Sequence, residues 1–213
     1  MSRLLIACAV LLGATSFAQA PAAPPSPPKA ATAPAAPAAP AKPNPLKAAA
    51  DRTQAALAQV PKAKPEDVKS MDAILKALYD VISGPAGTPR DWQRFRSLFY
   101  PGAQLIPLVK PPGATTLAAR PITPEDYVTW GQEATATHGF FEKETARQTH
   151  AFGALVQVMS TYEARGTQDG PLIAKGVNSI QLFNDGQRWW VMNIFWIDEN
   201  TAGLKVPKDL TQK

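Results

Sequence analysis

Apolar positions in this chain keep one period in its middle third and another towards its end. From 66 to 84, Val68, Met71, Leu75, Leu78 and Ile82 recur every three or four residues, which predicts an amphipathic helix stopped by Gly84. A second helix is predicted over 88–102: Thr88 caps it, Pro89 sits in its first turn, Trp92, Phe95 and Phe99 share a face, and Pro101-Gly102 ends it. The short apolar run at 103–109 reads as a strand, which Pro107 restricts to an edge. A third helix begins at Thr123, with Pro124 in the first position, Asp126 three residues after the cap, and Tyr127 and Trp130 on the apolar side. After residue 139 the segments read as strands: 140–152, 155–166, 172–183 and 188–198. Gly153-Ala154 turns the first pair, and Asp185-Gly186 turns the last, a strong hairpin signal. Helices, a short strand, a helix and then four antiparallel strands predict an α+β domain, a curved antiparallel sheet with about three helices on one face.

The last strand breaks the alternation expected of a sheet with one wet face. In 187–196, QRWWVMNIFW, both faces are apolar and only Asn193 interrupts the run. A two-residue Asp185-Gly186 turn sets Leu182 opposite Trp189 and Ile180 opposite Val191, so Asn193 and Phe195 share the helix-covered face. Trp190, Met192, Ile194 and Trp196 then point outward with no helix left to cover them. An apolar patch of that size predicts a partner, and a second copy of the same sheet is the simplest one. The competing cover is the C-terminal segment 200–210 folding back.

Composition divides the 213 residues into parts. Residues 1–20 carry Arg3, an apolar run and Ala18-Gln19-Ala20, the pattern of a secretory signal peptide cleaved near Ala20. Leu5 to Cys8 resembles a lipoprotein box, but Val10, Leu11 and Leu12 follow Cys8, which fits the plain signal peptide better. The expected location is periplasmic or secreted, and no later stretch is long and apolar enough for a transmembrane helix. Cys8 is the only cysteine, so the cleaved chain has no disulfide, thiolate nucleophile or cysteine-held metal. Pro and Ala supply 10 residues each of the 25 in 21–45, and 21–65 reads as a disordered linker before a domain at 66–213. The formal net charge is +5, but beyond residue 65 there are 15 basic and 16 acidic residues. A near-neutral domain argues against nucleic acid as a partner.

The element order, the segment WQRFRSLFYPGAQL (92–105) and the closing GVNSIQLFNDGQRWWVMNIFW (176–196) resemble the nuclear transport factor 2-like superfamily over most of 66–200. The resemblance implies a cone-shaped sheet with a cavity between helices and strands, often paired through the outer sheet face. That superfamily holds ketosteroid isomerases, scytalone dehydratase, polyketide cyclases of the SnoaL type and catalytically silent binding modules, so it implies a fold and not an activity.

Candidate chemistry is sparse. Around the Gly153-Ala154 turn, Arg147, Thr149, Val156, Val158, Ser160 and Tyr162 fall on one face, and the two valines mark it as the cavity side. Arg147, Ser160 and Tyr162, with Tyr79 and Asn193, then form a polar set that suits a small apolar or carbonyl-bearing ligand. The opposite face carries Glu142, Glu144, Gln148 and His150, with Glu163 opposite Glu144; exchanging the two faces would make His150 and Glu163 a cavity pair. His138 closes the third helix, and Asp80 lies next to Tyr79 as a candidate partner of Arg147. No cofactor is indicated, because no phosphate-binding loop, metal-ligand spacing or serine elbow is present. Three readings stand. The leading one is a small-molecule-binding module with no assignable activity. The others are a lyase or isomerase with His150, Asp80 or Glu163 as its acid–base residue, and an envelope adaptor.

Overall fold

The computed structural model describes residues 44–212; the predicted signal peptide and residues 21–43 of the predicted linker lie outside them. Helix α1, Pro45–Leu57, begins inside the stretch that composition assigns to the linker. Asn44 caps it, its side-chain oxygen accepting from Leu46 N at 2.9 Å, with Pro45 in the first turn. The predicted 66–84 helix is two: α2, Pro65–Val68, and α3, Met71–Ile82. Ser70 makes the break, since its extended backbone and a hydroxyl that accepts from Ala73 N at 3.1 Å start a new helix there.

The second predicted helix shortens to α4, Trp92–Arg96, capped by Asp91 rather than Thr88. Pro101-Gly102, read as a helix stop, lies inside strand β1, Phe99–Val109, where Gly102 takes φ 87° and the pairing slips between Phe99 and Gln104. A two-residue β2, Ala118–Ala119, flanks β1. Helix α5, Pro124–Thr137, starts on the expected cap: Thr123 and Asp126 satisfy each other's backbone N–H. Then come β3, Phe141–Phe152, β4, Leu155–Arg165, β5, Leu172–Asn184, and β6, Trp189–Asp198. Helix α6, Glu199–Ala202, and a single 3₁₀ turn, Lys208–Leu210, follow.

The six strands lie in the order β2-β1-β6-β5-β4-β3. The sheet is mixed rather than antiparallel, because β1 runs parallel to β6. Two irregularities decide which side chains meet the helices. In β3, Glu144 pairs with Tyr162 but Ala146 pairs with Thr161, leaving Thr145 as an extra residue. In β6, Val191 pairs with Leu182 but Asn193 pairs with Gln181, leaving Met192 as an extra residue. Side chains alternate with period two, so one added residue moves everything beyond it to the other face.

The core lies between α3, α4, α5 and the inner sheet face. Ile74, Leu75, Phe95, Leu98, Val158, Ile180 and Val191 are at most 2% exposed. Burying each of the larger ones contributes roughly 1.5–3 kcal/mol. Arg90 fastens the α3–α4 connection by donating to the carbonyls of Ile82, Gly84, Pro85 and Thr88 at 2.6–3.1 Å.

Candidate functional site

The cavity exists because the inner face is concave and α3 and α5 bridge it without filling it. Its volume is about 230 Å³. That is below the ~300–1,000 Å³ of clefts for drug-sized ligands, so its occupant is small. Leu78, Ile82, Leu105, Ala164, Ala174, Ile180 and Ile194 supply aliphatic wall. Aromatic rings from α3, α4, α5, β4, β6 and the residue before β3 supply the rest: Tyr79, Phe95, Tyr127, Trp130, Phe140, Tyr162 and Trp196. Tyr127 stacks on Phe95 with ring centroids 5.3 Å apart.

The polar lining is Glu142, Asn178 and the tyrosine hydroxyls. Glu142 and Glu144 face inward because Thr145 is the extra residue; beyond it Arg147 lies opposite Ser160 on the same face. Asn178 Nδ2 donates to Tyr79 Oη at 3.1 Å and lies 3.3 Å from Glu142 Oε1. Tyr79 donates to Ser160 Oγ at 2.6 Å, and Ser160 donates to Glu144 Oε1 at 2.6 Å. Glu144 Oε2 takes both Nε and Nη2 of Arg147, at 2.9 and 2.5 Å, and Arg147 Nη1 reaches Asp72 at 2.5 Å. The chain of bonds has a direction. Ser160 spends its proton on Glu144, so Tyr79 must donate to Ser160 and accept from Asn178.

Burial in this apolar cone raises the Glu142 carboxyl to about 7, partly opposed by the Asn178 bond. Burial also raises the Tyr79, Tyr127 and Tyr162 hydroxyls, with the nearby Glu142 charge adding to it in each case. Gly176 lies across from Tyr162, and a Cβ there would stand 2.7 Å from the Tyr162 hydroxyl and 2.4 Å from Ile197 O. Only glycine admits the ring at this position.

The sequence-predicted residues divide. Tyr79 and Tyr162 line the cavity. Ser160 stands fully buried behind Tyr79, and Arg147 is committed to Glu144 and Asp72 instead of to the cavity. Asn193 is on the outer face, beyond the Met192 irregularity, with its Oδ1 buried and unpartnered; Asn178 is the cavity amide. The same phase change turns Ile194 and Trp196 into the cavity, so the outward row of Trp190, Met192, Ile194 and Trp196 does not form. Trp190 is buried against Tyr100, under the Arg188 guanidinium at 3.5 Å, with its indole N–H donating to Asp185. His150 is exposed opposite Gln157, Glu163 pairs with Arg165 at 3.1 Å, and Asp80 is exposed beside Lys76. None of these three lines the cavity. The end of the C-terminal segment lies on the outer face over β3 and β4 rather than over the β6 row: Thr161 Oγ1 donates to Leu210 O and Gln148 Nε2 to Asp209 O.

No family model and no curated protein matches the chain. It is similar to solved structures that include a protein from Kribbella flavida, 10% identical, covering 70% of this chain and 92% of that one, with a TM-score of 0.43. An NTF-2 like protein of unknown function from Silicibacter pomeroyi is 10% identical, covering 61% and 93%, with a TM-score of 0.43. An NTF2-like protein of unknown function from Methylobacillus flagellatus is 16% identical, covering 61% and 94%, with a TM-score of 0.40. The latter two bear the name of the superfamily that the sequence resembles.

Proposed function

We propose that this protein is a binding module for a small, mainly apolar molecule, held in the cone by ring contacts and oriented by one polar group set against Glu142. The observation that carries this reading is a cavity whose walls are almost wholly apolar and whose polar end is a single unpaired carboxylate beside Asn178 and Tyr79. A buried carboxylate without an ion partner costs several kcal/mol, and a ligand that satisfies it offsets that cost. Native mass spectrometry of the purified protein tests the reading, alongside a cavity-filling Ala174→Phe variant. Retained small-molecule mass that disappears in the variant supports it. A variant that keeps the mass places the ligand elsewhere.

A second reading rests on the same carboxyl. A group that titrates near 7 suits proton transfer at neutral pH, so Glu142 would serve a lyase or isomerase of a carbonyl compound as the acid–base residue. The readout is deuterium exchange next to the carbonyl of a small cyclic ketone in D₂O, with loss in Glu142→Gln. Exchange at the uncatalysed rate sinks this reading and leaves the binding module standing. We also propose export; it predicts a mature N-terminus at Pro21, read by N-terminal sequencing of the periplasmic or secreted fraction.

A further inference from the structure

We infer that the ligand class of this cavity is a small organic cation, an ammonium carried on an apolar or aromatic body, with its charge seated between Glu142 and the surrounding rings. This rests on the binding-module reading above and goes further by fixing the sign of the ligand's charge.

Three observations lead there. Arg147 is held by Glu144 and Asp72, Lys76 by Asp80, and Arg165 by Glu163; among the described residues no basic side chain pairs with Glu142. The donors of Asn178 and Tyr79, beside Glu142, are also already spent. Asn178 uses its amide hydrogens on Tyr79 and Glu142, and Tyr79 sends its proton away to Ser160. An ammonium, which carries only donors, suits the carboxylate acceptor that remains there. Finally, the walls are rich in aromatic rings. Tyr79, Tyr127, Trp130, Phe140, Tyr162 and Trp196 present π-systems whose faces attract positive charge, most strongly where water is excluded.

An ion pair with the ligand draws the Glu142 carboxyl back toward its ordinary range. Since burial holds it at about 7, binding a cation at pH 6 to 7 releases a proton, and affinity rises with pH across that interval.

The test uses the whole protein and two probes of nearly equal shape: benzylamine, protonated at pH 8, and benzyl alcohol, which is neutral. Binding is followed through the fluorescence of the cavity residues Trp130 and Trp196 and by calorimetry. The expected result is benzylammonium binding roughly tenfold or more tighter than the alcohol. In Glu142→Gln, with its fold checked by thermal melting, that preference collapses. Equal affinities in the unaltered protein, or tighter binding of the alcohol, overturn the cation assignment and leave the binding module intact. Binding of neither probe overturns both. The comparison in the unaltered protein decides the matter even where the variant fails to fold.

Discussion

Glu142 is where stability and function pull against each other. Its carboxyl titrates higher in the folded chain than in the unfolded one, about 7 against 4.5. Between those values the native state binds more protons than the unfolded state, so stability falls as pH rises through the window. The cost above pH 7 is at most about 3.5 kcal/mol, at ~1.4 kcal/mol for each pKa unit. Glu142→Gln is therefore expected to be more stable than the parent at pH 8, and equally stable at pH 4. Urea unfolding at both pH values reads the difference, and a variant less stable at pH 8 contradicts it. Asp67 behaves in the opposite sense. It is 6% exposed, and two 2.7 Å bonds from Arg94 hold its carboxyl below the usual range. The stability it adds is present above the unfolded pKa of about 3.9 and is lost as pH falls through the lower folded value. Removing its partner with Arg94→Ala strands a buried carboxylate, and about 3 kcal/mol of destabilisation at pH 7 is expected by chemical denaturation.

At the scale of elements, single inserted residues decide the site. The cap at Thr123, the four long strands and the His150–Gln157 register are legible in local sequence, because capping groups and turn residues act over a few positions. So is the cavity role of Tyr162, on the same face as Val158 and Ser160. Asn178 was also within reach: it is two residues from Ile180 on a face already read as inward. Glu142 was not. Strict alternation places it with His150 on the outside, and the extra Thr145 reverses that. Met192 likewise exchanges Asn193 for Ile194 and Trp196. Such irregularities answer to the curvature of the whole sheet and leave no local signature. They also account for a last strand that is apolar on both sides: Trp190 packs on Tyr100, while Ile194 and Trp196 turn inward. Gly176→Ala tests the fit of the neighbouring strand. A methyl there must displace Tyr162 or the β6 backbone, so roughly tenfold weaker ligand binding is expected along with a loss of about 1–3 kcal/mol in stability. Unchanged binding by fluorescence titration contradicts the placement of Tyr162.

At the scale of the molecule, the sheet has one face closed by helices around a cavity and another partly closed by its own C-terminus. Ala146 and Thr161 are buried on that outer face, where Leu210 accepts the Thr161 hydroxyl. Truncation after Leu204 removes that bond and the one from Gln148, and about 2 kcal/mol of destabilisation is expected by thermal melting. A truncated chain that melts with the parent would mean that the tail lies free. Binding and the sign of the ligand's charge both bear on one architectural statement: a carboxylate is turned into an apolar cone with no cation among the described residues to meet it. The most direct measurement is a carbon-13 NMR titration of the Glu142 carboxyl in the unliganded protein. The account expects a midpoint near 7, moving down when an ammonium ligand is added. A midpoint near 4.5 would place Glu142 in water, on the outer face that simple alternation assigns it, and would contradict the site.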